Sequence, residues 1–360
     1  MSAVAAPVAG PSTRALFDAA VGAAAEQLAP LRGTAIHVSG ASGFLASNLL
    51  ALLHEASRTA GLGLRLFASA RRPAGDVPVF AFLGLRPEIT WQVAPVERTT
   101  LPPVAGLVAV HTASFGAPGD YMREPLATFR ANTDGLVGLY EQAARGGAGH
   151  VVYFSSAEVY GQPPADAIPT PERFGGAPDL ASPRSIYGES KRMAEVLGAV
   201  LAEQHGIPFT ALRPFNLYGP GQRLDDGRVP MEFVRLALDE GAVPLASDGT
   251  PRRSPCFVWD GLLQVIACLR PGAPTQAFNI GDPTSEIGML DLARRCAVAA
   301  GIDAGAVTAG PAGPGGAIAR AVPQVDRVLR HASPALPAFT PLDEGLPTLR
   351  DWIGWLRHHA

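Results

Sequence analysis

Along the first two thirds of the chain, short apolar runs alternate with longer stretches in which apolar residues recur every three or four positions. The runs at 34–39, 63–69, 89–93, 106–111, 150–155 and 208–213 predict strands, because each is short and bounded by turn-forming residues. Between them, 43–57, 125–145 and 185–205 predict amphipathic helices. Such alternation predicts an α/β fold with a parallel sheet covered by helices on both faces. After 213 the pattern breaks into loops rich in proline and glycine, with helices at about 230–240, 260–269 and 288–300 and strands near 255–258 and 276–280. The tract Ala304 to Gly316 reads as a loop, and Leu342 to His359 as a closing helix.

The first strand runs directly into Gly40-Ala41-Ser42-Gly43-Phe44-Leu45-Ala46. Gly40 permits a backbone angle closed to other residues, and Gly43 lets the main chain approach a pyrophosphate. The helix from Phe44 then offers free N–H groups and a partial positive charge. A strand, a glycine turn and a helix start in that order predict a dinucleotide-binding, Rossmann-type doubly wound sheet. Residues 31–215 are assigned to that domain, and 216–360 mainly to a smaller C-terminal substrate-binding lobe with some segments returning to the first domain. Residues 1–30 form an N-terminal extension, with a helix from about Ser12 to Ala29 capped by Ser12 or Thr13.

Tyr187 and Lys191 stand four residues apart in the third helix, on one face. A cation near a phenol favours phenolate, so Tyr187 is expected to take a proton from a hydroxyl whose carbon loses hydride, with Lys191 lowering its pKa. The strand Val151-Val152-Tyr153-Phe154 ends in Ser155-Ser156-Ala157-Glu158, placing two hydroxyls and a carboxylate where an open parallel sheet faces its ligand crevice.

With these residues the chain resembles the extended short-chain dehydrogenase/reductase family, specifically its nucleotide-sugar epimerases, dehydratases and decarboxylases. The resemblance runs from roughly residue 33 to the C-terminus. It rests on the glycine turn, His111-Thr112-Ala113-Ser114, Asn132, Ser155-Ser156, Tyr187 with Lys191, and Arg213-Pro214-Phe215-Asn216-Leu217-Tyr218-Gly219-Pro220. It implies a dinucleotide held by Gly40, Ser42, Gly43, Phe44, Leu45, Arg71, Thr112, Ala113, Ser114, Asn132, Pro214 and the Tyr187–Lys191 pair. It also implies a nucleotide-diphosphate sugar held by Ser156, Asn216, Arg228 and Arg253, with Arg252 left exposed. The catalytic set is then Tyr187, Lys191, Ser156, which hydrogen-bonds O4, and Glu158, which handles a proton at or near C5.

Which dinucleotide binds is open at this point. NAD sites usually present an acid after the second strand, yet the chain has Phe67-Ala68-Ser69-Ala70-Arg71-Arg72 there, and Val93-Ala94-Pro95-Val96 where the family supplies an acid near the adenine. Arginines at that place suit a 2′-phosphate and so NADP, while most sugar-nucleotide relatives keep NAD, which is placed first. Ala157 stands where the family's dehydratases carry a proton-donating Asp. UDP-glucuronate decarboxylases are resembled further in Tyr121-Met122 followed by Pro125, in Asp226-Gly227-Arg228-Val229 and in Arg253. Decarboxylation of UDP-glucuronate is therefore the leading expectation. C4 or C5 epimerisation, an altered 4,6-dehydratase, an oxidoreductase on another small substrate and a catalytically silent nucleotide-binding regulator remain alternatives.

Charge and composition narrow the partners. A formal charge of −3 without a polybasic patch argues against nucleic acid or an anionic membrane surface. Three cysteines build neither a disulfide framework nor a metal site, no apolar run is long enough to span a bilayer, and the first 30 residues lack the build of a signal peptide, so a cytoplasmic location is expected. Relatives pair through the helices corresponding to 125–145 and 185–205, which implies a homodimer. The stripes Leu136, Leu139, Tyr140 and Met193, Leu197, Leu201 serve either that contact or the protein's own sheet.

Overall fold

The computed structural model describes residues 10–176, 179–270, 275–311 and 320–359. The expected strands form as β1 (Ala35–Ser39), β2 (Arg65–Ala70), β3 (Thr90–Val93), β4 (Val108–His111), β5 (His150–Phe154) and β6 (Phe209–Pro214). They pair, all parallel, in the order β3-β2-β1-β4-β5-β6, and Gln276–Ile280 adds a seventh strand beside β6. Every residue of β1, β4 and β5 is buried, which is why these strands read as continuous apolar runs and not as alternation. The strand order reverses between β1 and β4, and such a switch point opens a crevice at the carboxyl ends of the strands.

The helix after β1, α2 (Phe44–Thr59), buries Leu49, Leu50, Leu52 and Leu53 completely, so cutting any of them to alanine should cost about 2–5 kcal/mol. The N-terminal helix, α1 (Pro11–Leu28), lies over α2 and over the helix Val258–Ala267, with Phe17 edge-on to Trp259 at 5.1 Å. Its expected cap is not made by Ser12 or Thr13. Gly10 occupies the N-cap without a side-chain bond, and the buried Thr13 hydroxyl donates to Asp351 at 3.3 Å instead.

The single helix expected at 125–145 is two, Pro125–Asn132 and Asp134–Arg145. Between them the Thr133 hydroxyl donates back to the Phe129 carbonyl at 2.9 Å, a local bond that competes with the helical ladder. Leu136, Leu139 and Tyr140 turn into the core, as does Leu201, whereas Met193 lies on the outer face. Ser185–His205 forms as one helix and ends at Gly206 in the left-handed conformation.

After β6 the chain builds short strand pairs between helices. Leu217–Tyr218 pairs with Cys256–Phe257, and Arg252–Arg253 lies between Ile287–Gly288 and Arg320–Ala321. The tract expected as a loop from Ala304 contains a helical turn at Ala304–Ala306 and a strand, Val307–Thr308, that pairs with Val243–Pro244; its stretch 312–319 lies outside the described residues. Helices Met289–Ala299 and Leu342–His359 close this region, the latter burying Trp352 against Phe82.

Candidate active site

A cleft of about 1840 Å³ runs along the switch point. It is larger than the roughly 300–1,000 Å³ of a site for one small molecule, and so has room for two extended ligands. One end is made of main chain. Gly40, at φ +68°, ends β1 in the left-handed region, and a Cβ there would lie 2.7 Å from Ala113 Cα and 2.9 Å from Thr112 Oγ1. Two constraints therefore select glycine. Gly43 caps α2 without any side chain, and no acid stands in the first turn, so the N–H groups of that turn open onto the crevice. The Ser114 hydroxyl is buried there without a hydrogen-bond partner. A cradle that one Cβ would fill, an uncapped helix start and an orphaned hydroxyl fit the pyrophosphate and nearby ribose of a dinucleotide.

Ser42, Phe44, Leu45, Thr112, Ala113, Ser114 and Pro214 all line this end, as expected. Arg71 is exposed at its far edge, with its guanidinium 5.1 Å from the centre of the Phe115 ring. Glu97, one residue beyond the stretch searched for an acid, also lines the cleft. The turn Val96–Arg98 brings it back to the crevice, and the Pro95 before it was the signal available in the sequence. Among the residues expected to hold the dinucleotide, Asn132 alone does not line the cleft. It lies behind the wall, donating to Ser190 Oγ at 2.8 Å, and that hydroxyl donates to the Tyr187 carbonyl at 2.9 Å.

The opposite wall is the helix Ser185–His205. Lys191 is 2% exposed, donates to the Phe154 carbonyl at 2.7 Å, and holds its ammonium 4.7 Å from the Tyr153 ring centre and 5.7 Å from that of Tyr187. Burial pushes its pKa down to about 7, against the pull of Glu195. Tyr187 is half-buried at the cleft surface, hydrogen-bonded to Ser156. Burial pushes its phenol up to about 12; the Ser156 bond and Arg228 lower it, and Glu158 and Tyr121 raise it. Lys191 was expected to depress this phenol, but in this geometry desolvation of both groups outweighs their attraction.

Past Ser156 the chain makes the turn Ala157–Tyr160, whose start is capped by the Ser156 hydroxyl accepting from the Glu158 N–H at 3.2 Å. Gly188 makes room for it, since a Cβ there would lie 2.7 Å from the Glu158 carbonyl. Glu158 and the half-buried Arg253 sense each other: burial lowers the Arg253 pKa and the Glu158 carboxylate opposes that. Arg228 is gripped through two nitrogens by buried Asp226, with Nη2 to Oδ2 at 2.7 Å, while 38% of its side chain stays exposed. Burial works against its charge, yet Asp226 raises its pKa overall. Asn216 is held at φ +46°, a conformation rare for a residue with a side chain, and its buried Nδ2 has no partner. Arg252 is exposed and pairs with Glu286 at 2.8 Å, outside the cleft.

Other residues enter the site in roles that the sequence did not assign. Tyr121 packs face to face on Tyr187, with ring centres 4.9 Å apart and planes 14° from parallel. Arg184, one turn before Tyr187, lines the cleft within electrostatic reach of Tyr121. At the mouth, Arg223 donates to Asp120 at 2.8 Å and so joins the helix Pro118–Arg123 to the loop carrying Asp226 and Arg228.

A parallel sheet with a glycine turn at its switch point and a buried Tyr–Lys pair across the cleft defines a dinucleotide-binding protein of the short-chain dehydrogenase/reductase type. Within that class the chain belongs to the NAD dependent epimerase/dehydratase family, whose model matches residues 36–281. It is 37% identical over 183 residues to UDP-glucuronic acid decarboxylase 5 of Arabidopsis thaliana, covering 51% of this chain and 52% of that one. To UDP-glucuronic acid decarboxylase 1 of Xenopus tropicalis it is 32% identical over 184 residues, or 51% and 42% of the two chains. The chain spans about half the length of the curated relatives it matches. Among solved structures, MoeE5 in complex with UDP-glucuronic acid and NAD is similar with a TM-score of 0.70 at 25% identity, over 90% of this chain and 99% of that one. The UDP-glucuronic acid 4-epimerase of Bacillus cereus is similar with a TM-score of 0.72 at 20% identity, over 90% and 100%, a likeness of fold alone.

Proposed function

We propose that the chain is a nucleotide-sugar enzyme that works through transient oxidation at C4 and releases carbon dioxide from UDP-glucuronate. The observation that carries this reading is the convergence of two pairs on one wall of the cleft: Tyr187 with Ser156, and Glu158 with Arg253. The names of the relatives support it, as does the MoeE5 complex.

Ser156 and Tyr187 receive the sugar's O4, and Tyr187, once it has given up its own proton to solvent, takes the O4 proton as phenolate. NAD, held at the Gly40–Gly43 turn, would supply the hydride acceptor for that carbon and the hydride donor for the closing reduction. A ketone at C4 makes the C5 carboxylate that of a β-keto acid, so the bond to carbon dioxide breaks with its electron pair passing into the enolate. Glu158 relays from solvent the proton that C5 then needs, and Tyr187 returns its proton to O4 as the ketone is reduced. Arg253 orients the departing carboxylate, because a planar guanidinium matches two carboxylate oxygens. Arg228 and the unpartnered Asn216 amide hold the diphosphate. Ala157 brings no proton donor to the strand end, so elimination of a hydroxyl is disfavoured relative to decarboxylation.

The test is incubation with UDP-glucuronate and NAD followed by mass spectrometry. Loss of one carbon dioxide is the expected result; an unchanged mass with a new isomer would make the chain an epimerase. NADP belongs in a parallel tube, since Arg71 stands where an acid would reject a 2′-phosphate.

The proposal extends to a homodimer. Leu126 (68% exposed), Phe129, Met193, Val196 and Val200 lie exposed on two helices that pack side by side, at spacings that put each set on one face. Light scattering at twice the chain mass supports this contact. The three cysteines are buried and free, which suits a reducing cytoplasm, and among the described residues no helix is long and apolar enough to cross a membrane.

A further inference from the structure

A phenol that moves a proton must keep both its distance and its plane, and in this chain the plane is set from outside its own helix. The helix Ser185–His205 fixes the Tyr187 backbone, and Ser156 meets its hydroxyl, but neither stops the ring from tilting toward the open cleft. Tyr121 covers the remaining face. It is 2% exposed, lies nearly parallel to Tyr187 at 4.9 Å, and is carried by the six-residue helix Pro118–Arg123. That helix does not float: Asp120, next to Tyr121, is tied to Arg223 of the substrate loop at 2.8 Å and also accepts from Arg123. Gly116, just before the helix, lies alongside the Tyr187 hydroxyl, which would stand 4.0 Å, an ordinary contact, from a Cβ at that position.

We infer that Tyr121 is a positioning residue for Tyr187: its ring, stacked on the phenol, holds the Tyr187 ring in the plane that reaches Ser156 and the reacting hydroxyl. The stack is a ring-on-ring contact that favours one orientation of the Tyr187 ring. It also keeps water off the phenol. Because Asp120 and Arg223 join the stack to the loop bearing Arg228, engagement of the diphosphate by that loop and alignment of the phenol are mechanically linked.

Separate variants distinguish ring from hydroxyl. Tyr121→Phe keeps the stack; Tyr121→Leu removes it; Tyr121→Met fills similar space without a ring plane and serves if the leucine variant melts early. The first readout needs no substrate: the full chain is labelled with 13C at the tyrosine ζ carbon, and the Tyr187 signal is assigned by its loss in Tyr187→Phe. The groups facing that phenol are Ser156 and Glu158 from the strand end, Arg228 from the substrate loop, Tyr121, Tyr153 from β5 and Lys191 from its own helix. Tyr187 should stay protonated through about pH 10 in wild type and Tyr121→Phe, while in Tyr121→Leu and Tyr121→Met it should titrate lower than in wild type, because water then reaches the phenol. The second readout rests on the proposed reaction: kcat on UDP-glucuronate falls on the order of 10- to 100-fold in the leucine and methionine variants with KM little changed, and is retained in the phenylalanine variant. An unaltered Tyr187 titration in the ringless variants, or an equal loss in Tyr121→Phe, would overturn the inference. If wild type does not turn over UDP-glucuronate, the titration still decides the role of Tyr121, and it is the proposed reaction that fails.

Discussion

The two ends of the cleft are built from different materials. At the dinucleotide end the determinants are main-chain atoms: a left-handed Gly40 against Ala113, an uncapped α2 and the carboxyl ends of consecutive parallel strands. At the end proposed for the sugar nucleotide they are charged and aromatic side chains, Tyr187, Glu158, Arg228 and Arg253, delivered by segments far apart in the chain and balanced against one another. The first end is specified mainly by backbone shape. The second depends on how burial and neighbouring charges set each group, so it is where catalytic identity can change while the fold stays.

The sharpest way to break the contrast is at Gly40. Gly40→Ala should abolish dinucleotide binding in a calorimetric titration, and the left-handed backbone alone should cost about 1–2 kcal/mol in a melt. If NAD still binds normally, shape is not what that end reads. Tyr187→Phe should do the reverse, lowering turnover about 10²- to 10⁴-fold while leaving the dinucleotide titration unchanged. Arg253→Ala should weaken UDP-glucuronate on the order of 10- to 100-fold and UDP-glucose hardly at all, as judged by equilibrium binding. Equal losses for both sugars would move Arg253 from the carboxylate to the diphosphate.

A separate effect is on stability. Lys191 titrates near 7 in the folded chain, below the unfolded lysine value of about 10.4, so between those values the unfolded state binds more protons and stability rises with pH. The penalty of keeping this charge buried is complete below about 7 and gone above about 10.4. Lys191→Met should therefore melt at a higher temperature than wild type at pH 6, with the gain shrinking as pH rises, although it is inactive. A variant that melts lower at every pH would show that the bond to the Phe154 carbonyl outweighs the burial cost.

The same contrast explains what could be seen in the sequence. The glycine turn and the Tyr187–Lys191 pair are each written within a few consecutive residues, and the strands of the parallel sheet are buried on both faces, so their apolar runs stand out. The closing helix Leu342–His359 was legible for a similar reason, its periodicity being local. The stack of Tyr121 on Tyr187 joins residues 66 apart, and the Asp120–Arg223 tie residues 103 apart, so neither leaves a local pattern. Asn132 fits the motif yet lies behind the wall, its amide donating to Ser190 and not reaching the cleft. Spacing along a helix says nothing about desolvation, which at Tyr187 is the largest influence on its pKa.

The central claim is that both ends act on one carbon of the sugar. UDP-glucuronate carrying deuterium at C4, incubated with the holoenzyme and analysed by mass spectrometry and NMR, tests it directly. The account predicts a product lighter by one carbon dioxide that retains its deuterium at C4. A decarboxylated product whose C4 label has exchanged with solvent would contradict it, as would untouched substrate in an enzyme shown to hold both ligands.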